Sequence, residues 1–91
     1  MPIIREVVEE QAVFDTVYAE RSIYQRIEEA FEALKWRLAR TPDYGYLVDE
    51  QYWVYKQEGN RDLKIPGLLV LYTFDETQVN IFFLQVCVPT V

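Results

Sequence analysis

Arg61 and Lys64 are the one basic pair on a stretch between strand-forming segments, and Tyr52, Trp53, Tyr55 and Lys56 lie close by in sequence. Cations beside flat rings can hold phosphate oxygens and stack bases, so this is the combination best suited to nucleic acid. Asp62 cancels part of that charge. Three acidic groups, Glu6/Glu9/Glu10, Glu28/Glu29/Glu32 and Asp49/Glu50, could share protons or a cation. Glu28, Glu29 and Glu32 fall together on the polar side of a helix, where carboxylates serve solubility, and the other two groups read the same way.

Nucleophilic chemistry has little to build on. The chain has no histidine, which removes Ser-His and Cys-His catalysis and most zinc sites. Cys87, the only cysteine, sits among Phe83, Leu84, Val86 and Val88 and reads as a packed thiol that forms no internal disulfide. No glycine-rich phosphate loop or nucleophile elbow is present. The expectation is therefore no catalytic residue, no metal and no cofactor.

Composition bounds the rest. Ninety-one residues with 51% apolar and 15% aromatic content make one globular domain, residues 1–91, with a core of modest size. A formal charge of −6 repels polyanions, so nucleic-acid binding would need a local basic patch. The charged start of the chain and the short apolar run Leu68 to Tyr72 give neither a signal peptide nor a membrane span, and a cytoplasmic location is expected.

The elements that would position these residues read as strand, helix, helix and strands, an α+β order. Ile3 to Val8 reads as an opening strand, followed by a short helix from Glu9-Glu10 on which Val13, Phe14, Val17 and Tyr18 recur at helical spacing. Ser22-Ile23-Tyr24-Gln25 has the S-x-x-Q form of a capping box, so the second helix is expected from Ile23 to Arg40. Its apolar stripe is Ile23, Ile27, Ala30, Phe31, Leu34 and Leu38, and Thr41-Pro42 ends it. Trp36 falls opposite that stripe. Packing beneath the first helix in a helical hairpin is the favoured placement, and an interface anchor is the alternative.

After a loop at Asp43, Tyr44 and Gly45, three strands are expected: Gln51 to Lys56, Leu68 to Phe74, and Val79 to Val88. The last two form a hairpin about Asp75-Glu76-Thr77-Gln78. Period-two alternation sets Leu69 and Leu71 against Leu68, Val70, Tyr72 and Phe74, and Ile81 and Phe83 against Phe82, Leu84 and Val86. Both faces are then apolar. Two helices cover one, so a second copy, a partner or the C-terminal tail is expected over the other.

This order, with the terminal segment Gly67-Leu68-Leu69-Val70-Leu71-Tyr72-Thr73-Phe74-Asp75-Glu76 and the return Val79 to Val86, resembles the RelE/ParE superfamily of small bacterial toxins over nearly the whole chain. The resemblance implies a strand, two helices packed on one sheet face, and a three-strand antiparallel meander. It also implies toxin-antitoxin ancestry. Tyr72 matches the tyrosine of the family's Arg-x-x-Tyr hairpin, but Leu69 occupies the arginine position. The family's ribosome-dependent nucleases hold RNA with Arg, Lys and often Tyr or His, work that leucine cannot do. The basic residue or histidine usual after the return strand is also missing from Cys87-Val88-Pro89-Thr90-Val91.

Two functional expectations follow. The first is a non-catalytic interaction module that dimerises or binds a protein partner through Leu69 and Leu71, with Trp36, Trp53 and Tyr55 as further contacts. The second is an active toxin, a ribosome-dependent mRNA endoribonuclease or gyrase poison, in which Lys56, Arg61, Lys64 and Tyr72 hold nucleic acid.

Overall fold

Leu68, Val70 and Tyr72 are fully buried while Leu69 and Leu71 between them are half-buried, the period of two that a strand requires. A computed structural model describes residues 3–88. The chain runs β1 (Glu6–Glu9), α1 (Gln11–Glu20), α2 (Ile27–Arg40), a 3-10 turn at Pro42–Tyr44, β2 (Tyr46–Asp49), β3 (Tyr52–Gln57), β4 (Gly67–Phe74) and β5 (Gln78–Cys87). The five strands form one sheet in the order β1-β5-β4-β3-β2. β2 to β5 make an antiparallel meander and β1 joins β5 in parallel, so the sheet is mixed.

Both helices pack on one sheet face. The core joins Val13 and Val17 of α1, Ile27, Ala30, Phe31, Leu34 and Leu38 of α2, and Leu68, Val70, Tyr72, Val79, Ile81 and Leu84 of the sheet. Each fully buried aliphatic side chain here is worth about 1.5–3 kcal/mol relative to exposure. The hairpin turn is organised by Asp75, whose carboxylate accepts hydrogen bonds from Thr77 N, Gln78 N and Thr77 Oγ1. These donors hold its carboxyl below the usual range.

Several expectations are corrected. The meander has four strands where three were expected, because Tyr46–Asp49 pairs with β3 through Tyr46↔Val54 and Leu47↔Trp53. Every residue of this edge strand is exposed, so no burial alternation marks it. The first strand begins at Glu6, since Arg5 N–H donates to Ala39 O, off the sheet, and Glu6 N–H starts the sheet contacts at Thr77 O. On α1 only Val13 and Val17 are buried, while Phe14 and Tyr18 face outward.

α2 starts at Ile27 rather than Ile23, without a side-chain cap. Ile23 N–H and Tyr24 N–H both donate to Glu20 O, which spends residues 21–26 on reversing the chain between the helices. Tyr24, rather than Ile23, then packs against the core, and Ile23 is left 69% exposed. Trp36 does not lie beneath α1. It is 57% exposed, with the Arg40 guanidinium 4.1 Å from its ring centroid.

Candidate interaction surface on the open sheet face

Strict alternation along β5 would send Ile81 and Phe83 to one face and Phe82 and Leu84 to the other. The pairing with β4 instead passes from Leu71↔Phe83 directly to Tyr72↔Ile81, leaving Phe82 as the extra residue of a β-bulge. The slip changes which side chains face the helices. Ile81 and Leu84 both enter the core, and the adjacent Phe82 and Phe83 both project from the other face, 37% and 54% exposed. The expected split of these four residues is thereby corrected.

Register then assembles the surface. Leu71 lies between Val54 and Phe83, and Leu69 between Lys56 and Gln85, so these side chains share the face away from the helices. Tyr52 meets Phe82 edge-on, with ring centroids 6.1 Å apart. Val8 extends the patch onto β1, where it registers with Asn80 and is exposed. Lys56, on this face beside Leu69, stands 3.8 Å from Glu58. The C-terminal tail, one of the covers considered for this face, lies beyond the described residues.

The other expected contact residues are not gathered here. Trp53 and Tyr55 register with Tyr72 and Val70 and so point to the helix side. Trp53 packs 5.3 Å from Phe74, and Tyr55 lies 5.8 Å from Tyr44, over which the Arg37 guanidinium sits at 4.8 Å. Burial raises the Tyr55 pKa, opposed by Arg37 and assisted by Tyr44. Trp36 sits with Arg37 and Gln57 on the outer side of α2.

The residues expected for nucleic acid are likewise dispersed. Lys56 is on the open face, whereas Tyr72 is fully buried on the helix side, its hydroxyl donating to Pro42 O at 2.5 Å. Burial pushes its pKa up to about 12, against the opposing effect of the Gly45 N–H. An added Cβ on Gly45 would stand 2.6 Å from that hydroxyl, so glycine is needed for this approach. Arg61 and Lys64 occupy the β3–β4 loop and line a cleft with Arg26. Tyr72 and this pair belong to separate parts of the molecule.

The carboxylates of the acidic helix face meet cations: Glu28 with Arg21, Glu29 with Arg26, and Glu32 together with Glu9 around Lys35. Among the described residues no group of three or more acidic or thiol side chains is gathered to hold a metal ion. Cys87 is a half-buried free thiol opposite Gly67 at the end of the hairpin. Among the described residues no helix is long and apolar enough to cross a membrane.

Phe82 and Val54 belong to the surface but were not singled out from sequence as contacts, and Tyr52, read there as a ring that could stack bases, joins them. Residue type carried no signal for Phe82, because Ile81, Phe82, Phe83 and Leu84 are all apolar and only the burial of Val79, Ile81 and Leu84 reveals the change of spacing from two to three at the bulge. No family description, curated protein or solved structure matches the chain.

Proposed function

We propose that this chain is a RelE/ParE-like interaction module without nuclease activity, and that it pairs with a second copy of itself through the open sheet face. The observation that carries this reading is the bulge, which places Phe82 and Phe83 side by side next to Leu71, Val54 and Tyr52 on a face without helices. Kinship with the superfamily is supported by the order of strand, two helices and antiparallel meander, and a non-catalytic role by Leu69 at the arginine position.

The area of the face is sufficient for a second copy as the occupant. Five strands about 4.8 Å apart and about 20 Å long give a footprint near 480 Å², and side-chain relief raises this to roughly 600–700 Å² per copy. Two such faces together would bury about 1,200–1,400 Å², within the range of stable interfaces. Charge is compatible, because Lys56, the cation beside Leu69 on this face, is paired with Glu58.

Analytical ultracentrifugation at about 10 μM, a concentration that populates a dimer of micromolar affinity, tests the reading. The parent protein should sediment as a dimer. Leu71→Lys should sediment as a folded monomer, because a lysine on each copy would be desolvated against apolar neighbours. A monomeric parent protein at about 100 μM, or a dimer unaffected by Leu71→Lys, refutes the assembly. Growth on tight induction in bacteria separates this module from the active toxin. Undisturbed growth is expected, and arrest abolished by Arg61→Ala with Lys64→Ala would favour the toxin.

A further inference from the structure

The nine lysines and arginines of this acidic chain differ in what they touch. Arg21, Arg26, Lys35 and Lys56 pair with carboxylates. Arg5 donates to Asp75 O, and Arg37 and Arg40 lie over aromatic rings. Arg61 and Lys64 remain. Among the described residues neither has a carboxylate within the 4.0 Å of an ion pair. Both line the same cleft of about 440 Å³, between the α1–α2 connection and the β3–β4 loop, together with Arg26, Ile23 and Leu63. Among the described residues no carboxylate lines it, and its size is that of a small-molecule site.

The loop that presents these cations is built rather than slack. Asn60 and Ile65 exchange backbone hydrogen bonds of 2.8 and 2.9 Å, and Lys64 N–H donates to Arg61 O. Asn60 Oδ1 accepts from Leu63 N, and Arg26 Nη1 donates to Leu63 O, tying the loop to the start of α2. Arg26 is itself held by Glu29 through Nε and Nη2. Lys64 sits at φ 57, a left-handed conformation that a lysine adopts only when its surroundings impose it. The backbone that carries the two free cations is thus held in place before any ligand arrives, which lowers the loop-ordering part of the entropy lost on binding.

We propose that this cleft binds a small organic phosphate, a phosphate monoester with a flat or apolar body. Arg61 and Lys64 take the phosphoryl oxygens, which unpaired cations on a preformed turn suit. Ile23 and Leu63, both largely exposed at its rim, receive the body. The site shares no residue with the open sheet face and does not depend on dimerisation.

Titration of the full chain with adenosine 5′-monophosphate, followed by calorimetry and amide chemical shifts, tests it. Saturable binding with a dissociation constant of roughly 0.1–1 mM is expected, weaker for adenosine or inorganic phosphate alone. Affinity should rise from pH 5 to pH 7.5, as the phosphate takes its second charge near pH 6. Arg61→Ala combined with Lys64→Gly should weaken binding at least about tenfold, the value of one or two charge-assisted contacts, while Lys56→Ala leaves it unchanged. Glycine suits the left-handed position, so loss of binding in that variant with native circular dichroism reports the cations and not the fold. No saturation up to about 10 mM, or equal binding by the double variant, overturns the proposal. Tight binding of a single-stranded RNA oligonucleotide without binding of the monophosphate also overturns it, in favour of a polynucleotide surface.

Discussion

Tyr72→Phe removes one oxygen from the centre of the fold. The Tyr72 ring is fully buried, and its hydroxyl donates to Pro42 O at 2.5 Å across the junction of α2 and the sheet. Losing that hydrogen bond and leaving the Pro42 carbonyl without its donor should cost about 1.5–2 kcal/mol. With an unfolding entropy of about 2.1 cal/mol/K per residue, a 91-residue chain loses roughly 8–10 °C in Tm for that change.

The same residue predicts a pH dependence. The folded protein keeps the Tyr72 proton to about pH 12. The unfolded chain releases it near pH 10. Above pH 10 the folded state therefore binds the extra proton, and stability falls as pH rises. The contribution is intact below the unfolded pKa and is lost through the folded one, amounting to about 2 kcal/mol by pH 12. The Tyr72→Phe variant lacks this loss, so the stability gap between the two proteins should close near pH 12. Urea unfolding of both proteins at pH 7, 10 and 12, followed by circular dichroism, gives the comparison. A stability difference under about 0.5 kcal/mol at pH 7, or a gap that does not narrow above pH 10, would show that the hydroxyl is neither buried nor bonded as described.

Two further changes probe the β3–β4 loop. An added Cβ on Gly59 would stand 2.5 Å from Gly67 N and 2.6 Å from the Pro66 carbonyl carbon, both backbone atoms. Gly59→Ala should therefore cost about 2 kcal/mol and lower Tm by roughly 10 °C in a thermal melt. Lys64→Gly relieves the left-handed conformation at φ 57 but adds freedom to the unfolded chain. A net gain of about 0.5 kcal/mol, or 2–3 °C, is expected in the same melt. Sedimentation of Leu71→Lys and monophosphate binding by the Arg61/Lys64 variant complete the set.

The α+β order was legible in residue type because its strongest signals are local. The stripe of Ile27, Ala30, Phe31, Leu34 and Leu38 specifies one face of a helix, and the alternation through Leu68, Val70 and Tyr72 specifies one face of a strand. The split of Leu69 and Leu71 from Leu68, Val70 and Tyr72 was readable for the same reason. So was the location of the Asp75 turn between them and their partner strand.

What the chain could not announce locally was decided by long-range contacts. A capping-box pattern at Ser22-Ile23-Tyr24-Gln25 gave way to a reversal, because packing Tyr24 against the core outweighs extending α2 by one turn. Tyr46–Asp49 became a strand only because β3 offered an edge to pair with. Residue types alone bounded this protein to a helix-covered sheet with apolar residues on both faces and an acidic charge balance. Tertiary structure decided which aromatics share a face: one bulge residue in β5 inverts the alternation beyond it, so Phe82 and Phe83 point outward together, while the β3–β4 register turns Trp53 and Tyr55 toward the helices beside Tyr72.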